Sequence, residues 1–155
     1  MRRVIMDTEA QDTSNSANFI IVPDDLTQLY LEHAQGLIAS LVKKFDKELT
    51  VEYINNKILN RDYTMIAIMD MQEIRYLMLT NIFTFPTGYK ILNVPHSMGR
   101  NPHNYAEQIM EGVMKVAKVA GCSQIRGKGV RPGFAKILKT YGWKTHRPSM
   151  IIEVI

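Results

Sequence analysis

Apolar positions along the 155-residue chain change period twice, from helical to alternating and back. Phe19 to Val22 is a short apolar run, read as a first strand closed by Pro23. Asp24 and Asp25 follow where the unpaired N–H groups of a helix need acceptors. Leu26, Leu29, Tyr30, Leu37, Leu41 and Phe45 then recur at helical spacing, which predicts one long helix. Thr50 opens a second, shorter helix with Val51, Ile54 and Ile58 on one side.

From Thr64 the pattern suits strands. Met65 to Met69 and Ile74 to Phe85 are large and β-branched apolar runs, with Asp70 to Glu73 as the turn of a hairpin. Pro86, Thr87 and Gly88 supply the next turn, and Tyr89 to Val94 is a third strand stopped by Pro95. The helical period returns with Ala106, Ile109, Met110, Val113, Ala117 and Ala120, and Gly121 is placed as the C-cap. Ser123 to Arg126 is a short strand, after which Gly127 and Gly129 loosen the chain. Pro132 starts a helix that buries Phe134, Ile137, Leu138 and Tyr141 before Gly142, and Met150 to Ile155 is a last strand. This order implies an α+β or mixed α/β class with helices on both faces of one sheet. Residues 1–18 are polar and aperiodic and read as a flexible arm, which leaves residues 19–155 as a single domain.

Composition narrows the class. With 46% hydrophobic and 22% charged residues the chain is globular rather than disordered. Arg2 and Arg3 lead to Met6 and Asp7 rather than to an apolar run, so neither a secretory signal nor a membrane span is expected. Cys122 is the one cysteine and reads as a buried structural thiol. Charge is uneven: residues 1–99 hold 9 Lys or Arg against 12 Asp or Glu, and residues 100–155 hold 10 against 3. A basic second half attracts phosphates, whether on a nucleotide cofactor, a nucleic acid or an acidic partner.

The chemistry concentrates between Pro95 and Ala106. A loop that joins a strand to a helix presents unpaired N–H groups, a natural seat for a phosphate. Here the loop runs Gly99, Arg100, Asn101, Pro102, His103, Asn104, Tyr105, Ala106, with few glycines for close approach. His96, expected just past the end of its strand, is the side chain that titrates near neutral pH and could act as a base. His103 reads as solvent-facing, and Gly127-Lys128-Gly129 lacks the full spacing of a phosphate loop. His33 and His146 are far apart in sequence, and no group has metal-ligand spacing.

The segment from Ala106 to Gly142 resembles the GCN5-related N-acetyltransferase (GNAT) family. In that family an Arg/Gln-x-x-Gly-x-Gly/Ala loop precedes a helix ending in Ala-x-x-x-Gly. Ala117, Gly121 and Ile125 fall at the matching spacing, which sets the loop on Asn101 to Ala106. Ala106 matches the last small residue, Asn101 stands where the family has Arg or Gln, and Asn104 replaces the central Gly. Gly142 and Trp143 match a Gly-Phe ending, but Leu138 occupies the Tyr position that serves as general acid, with Tyr141 nearby. The phrases RPGFAKILKTYGWK and TFPTGYKIL are similar to small GNAT-like proteins of tailed bacteriophages.

The resemblance implies a mostly antiparallel central sheet with a splayed parallel strand pair, Ile91 to Val94 and Ser123 to Arg126. It implies acetyl-coenzyme A as cofactor if the chain is catalytic, with Val94, Arg100, Asn101, Asn104, Ala106 and Arg131 around it and His96 and Tyr141 as catalytic candidates. No metal is implied. Departures in the loop and at Leu138 favour a virion-associated or other partner-binding phage protein over an active N-acetyltransferase, with a non-specific nucleic-acid binder third. Other phage proteins are the expected partners, through residues 1–18 or the basic C-terminal face, in the host cytoplasm or the virion.

Overall fold

The computed structural model describes residues 17–128, 130, 132–146 and 149–155. The first half comprises strand β1 (Asn18–Ile21), helices α1 (Thr27–His33), α2 (Gln35–Lys44) and α3 (Val51–Leu59), and strands β2 (Thr64–Asp70) and β3 (Glu73–Thr84). The second half comprises strand β4 (Lys90–Gly99), helix α4 (Ala106–Ala120), strand β5 (Gln124–Lys128), helix α5 (Pro132–Thr140), and strands β6 (Lys144–His146) and β7 (Ser149–Glu153). Among the described residues the strands form one sheet in the order β1-β2-β3-β4-β5-β7-β6. Only β4 and β5 pair in parallel. The remaining neighbours are antiparallel, so the α+β class is the one observed.

Alternation along the central strands sorts side chains into two cores. Ile66, Ile68, Met78, Leu92 and Ile125 face Ile109, Val113 and Ala117 of α4. Met65, Ala67, Leu77 and Leu79 face Ile38, Leu41, Ile54 and Ile58 of α2 and α3. Burial on both faces explains why β2 and β3 read as continuous apolar runs rather than alternating ones. Each fully buried Ile or Leu contributes about 1.5–3 kcal/mol of transfer free energy.

Local signals held at several ends. Thr50 caps α3 by accepting from the Tyr53 N–H at 3.0 Å. Met71 and Gln72, both at positive φ, make the two-residue turn between β2 and β3. Gly121, at φ +75°, caps α4, with the Cys122 N–H donating to Ala117 O at 2.8 Å.

Other boundaries differ from the sequence reading. The long first helix breaks at Ala34, which is fully buried; the Ala34 N–H and the Gln35 side chain both donate to Leu31 O. Asp24 and Asp25 lie in a short 3-10 turn and make no side-chain cap, and Asp24 instead pairs with Arg61 at 3.2 Å. Pro95 does not stop β4, which continues to Gly99. Between the Leu79–His96 and Asn81–Asn93 pairs, β3 has one residue, Thr80, and β4 has two, Val94 and Pro95. The extra residue is a bulge, which accommodates a proline that cannot donate to a ladder. Strand β6 escaped the sequence reading because it is three residues long and exposed throughout. Ala17, 8% exposed, and Asn18 belong to the folded domain, while residues 1–16 of the expected arm lie outside the described residues.

Candidate functional site

The bulge and the parallel pair together create an opening in the sheet. Strands β4 and β5 pair from Ile91–Gln124 to Val94–Gly127. Beyond Val94, β4 stays with β3, pairing Ser97 with Met78 and Gly99 with Tyr76, while β5 stays with β7. The strands therefore part, and a cavity of about 120 Å³ occupies the gap.

Val94, Ser97, Gly127 and Lys128 line its two strand walls. Ile109 and Val113 of α4 and Phe134 and Leu138 of α5 close one side, with Trp143 beneath. Trp143 is buried and its indole N–H donates to Met110 Sδ at 2.8 Å. Lys44, at the end of α2, reaches the cavity from the opposite face of the sheet, so the gap runs through the sheet. Gly99, at φ +142°, must be glycine: a Cβ there would stand 2.5 Å from Arg75 O.

Hydroxyl chemistry enters from an unexpected place. Tyr76 and Ser97 both line the cavity, and the Tyr76 O–H donates to Ser97 Oγ at 2.9 Å. Only the β3–β4 register brings these two residues together, which is why sequence spacing does not reveal them. Leu138, 3% exposed, fills the wall where the resemblance places a tyrosine, and Tyr141 lies in the exposed turn after α5, outside the lining. Arg131 lies outside the described residues.

His96 stands inside β4 rather than past its end. It lies opposite Leu79, so its ring is on the α1–α3 side of the sheet, where it packs edge-on against Tyr63 with centroids 5.9 Å apart. It does not line the cavity. Burial first, and the neighbouring Lys128 charge second, push its pKa below the usual histidine value. His96 is thus held neutral near pH 7, the form that accepts a proton.

The loop after β4 is folded on itself. Asn101 adopts the left-handed conformation at φ +52°, and Pro102–Tyr105 form a 3-10 turn that leads straight into α4. The Asn104 N–H donates to Asn101 O at 2.9 Å, and Pro102, which has no N–H, forms part of the cavity wall. Arg100, Asn101 and Asn104 are exposed and stand outside the lining, and Ala106 is buried at the start of α4. Of the described residues that the resemblance implies for the cofactor, the structure places Val94 on the cavity wall and the others outside it. Among the described residues no group of His, Cys, Asp or Glu could hold a metal ion, and no helix is long and apolar enough to cross a membrane.

No family model and no curated protein matches the chain. Solved structures do match. An acetyltransferase of the GNAT family from Staphylococcus aureus Mu50 superposes with a TM-score of 0.62 at 13% identity, covering 90% of this chain and 99% of the other. Arylalkylamine N-acetyltransferase 2 from Aedes aegypti gives 0.65 at 10% identity, covering 91% and 100%. A predicted acetyltransferase with acetyl-CoA from Clostridium acetobutylicum gives 0.55 at 15%, covering 85% and 92%. At such identities the likeness establishes the GNAT fold and not an activity.

Proposed function

We propose that this chain is a GNAT-fold protein kept for its surfaces rather than for efficient acetyl transfer, a virion-associated or other partner-binding component of a bacteriophage. The observation that carries the reading is the loop between β4 and α4. Pro102 has no N–H and the Asn104 N–H is engaged by Asn101 O, so two donors that a diphosphate would use at this helix start are missing. The cleft fits a slender thioester arm, but the loop does not fit the phosphates of acetyl-coenzyme A. Leu138 in place of a hydroxyl in the cleft wall points the same way. The phage assignment rests on the similarity of RPGFAKILKTYGWK and TFPTGYKIL to phage proteins.

Mass spectrometry of purified particles tests the role. The expected result is the full chain at stoichiometric amounts beside other phage proteins. Its absence from intact particles, together with acetylated host proteins during infection, would contradict the proposal.

A second reading, an active acetyl-CoA-dependent N-acetyltransferase, is favoured by a different observation. His96 lies on β4, next in the chain to Ser97 of the cavity wall but with its own ring against Tyr63. Its lowered pKa favours the neutral form that can take a proton from an amine. Loss of turnover in His96→Ala with cofactor binding retained would assign that role.

A further inference from the structure

Helices α1 to α3 cover only part of their side of the sheet. Their buried apolar partners lie on β2, β3 and the end of β4, and none lies on β5, β7 or β6. Strand register identifies the side chains on this area, where Asn81, Asn93, Arg126 and Ile151 are half-buried and Lys144 is exposed. Asn81 lies opposite Asn93, Asn93 opposite Arg126, Arg126 opposite Ile151, and Ile151 opposite Lys144. Directly opposed residues share a face of a sheet, so this row crosses five strands on one side.

Two ends of the row differ in chemistry. Arg126, Lys128 and Lys144 form a cationic group, and Lys128 shares this side with Arg126, two residues before it. Among the described residues none of the three forms a salt bridge. Strands β4 to β7 carry one carboxylate, Glu153, and that group accepts from the Gln124 amide at 2.7 Å. At the other end is an aromatic cluster. Phe83 is 48% exposed, its ring sits edge-on to Phe85 at 4.8 Å, and Tyr89 lies 6.1 Å from Phe85. The Arg126 guanidinium lies 5.7 Å from the Phe85 ring and joins the two groups.

We propose that this open sheet face binds a single-stranded nucleic acid, with phosphates on Arg126, Lys128 and Lys144 and bases stacked on the Phe83–Tyr89 cluster. Arg126 Nε donates to Gln124 Oε1 at 2.6 Å, which holds the guanidinium against the Phe85 ring. Rings on a sheet beside cations that no carboxylate neutralises suit bases whose flat faces are free, which a duplex does not offer. An acidic protein surface would satisfy the cations but gives no use to the rings.

Fluorescence anisotropy of a labelled oligothymidylate of about a dozen residues, titrated with the full chain, tests this. Three phosphate contacts predict a slope of about −2 for log affinity against log salt, and Lys144→Gln should reduce it by about 0.7. Phe83→Ala should weaken binding about tenfold with the slope unchanged. Phe83→Leu, which keeps an apolar side chain at this exposed position, should weaken binding similarly and so separates loss of the ring from loss of the fold. Lys136→Gln with Lys139→Gln, on α5 across the sheet, should leave affinity within about twofold. No anisotropy change at low salt would overturn the proposal. So would polyglutamate competing as well as the oligonucleotide, or the α5 pair mattering as much as Lys144.

Discussion

Burial beside Lys128 makes His96 the residue whose protonation the fold resists. Because its folded pKa lies below its unfolded value, the unfolded chain binds more protons, and stability rises with pH through that window. The contribution is complete above about pH 6.5 and is lost as pH falls through the folded value. His96→Gln should therefore flatten the urea midpoint's dependence on pH between about 7 and 5, relative to the parent. A profile that falls as steeply in the variant would place the titrating group elsewhere. The identity of His96 as the neutral-range base was legible in the sequence, but its position was not. Pro95 suggested an end to the strand, and the bulge that absorbs it depends on pairing with β3. Cys122 behaves as read: it is 5% exposed, and burial pushes its thiol above the usual range despite the opposing influence of Lys90.

Elements with one strong period and clear caps were read most accurately. Helix α4 runs from Ala106 to Ala120 as its stripe and Gly121 predict, because local spacing and packing against the sheet agree. Ala117, fully buried, and Val119, 78% exposed, lie two residues apart on this helix. Ala117→Glu should destabilise by several kcal/mol by placing an unpaired charge in the core, whereas Val119→Glu should stay within about 0.5 kcal/mol of the parent. Equal denaturation midpoints for the two variants would contradict the packing of α4. The break between α1 and α2 was not legible, since its apolar spacing runs on and the competing Gln35 bond to Leu31 O depends on a bend that sequence does not announce. Strand β6 likewise carries no period to read.

At the scale of the whole molecule, the fold class and the helices on both faces were readable from order and spacing, whereas the parallel pair beside the loop followed from the family resemblance. What the order alone could not give is where β4 and β5 part, which residues meet there, and which half of the sheet stays uncovered. Tyr76 and Ser97 meet only through register, and register alone sets Arg126 and Lys144 on a common face with Ile151 between them. Three of the basic residues of the second half, Arg126, Lys128 and Lys144, come together on the strands beyond the gap, while Lys136 and Lys139 lie on α5 across the sheet. We propose that this GNAT fold keeps its cleft but offers no cradle for the phosphates of acetyl-coenzyme A. Calorimetric titration of the full chain with acetyl-coenzyme A tests it most directly. The expected result is no binding, or binding no tighter than millimolar and insensitive to the loop. Low-micromolar affinity that collapses in an Arg100→Ala, Asn104→Asp double variant would contradict it.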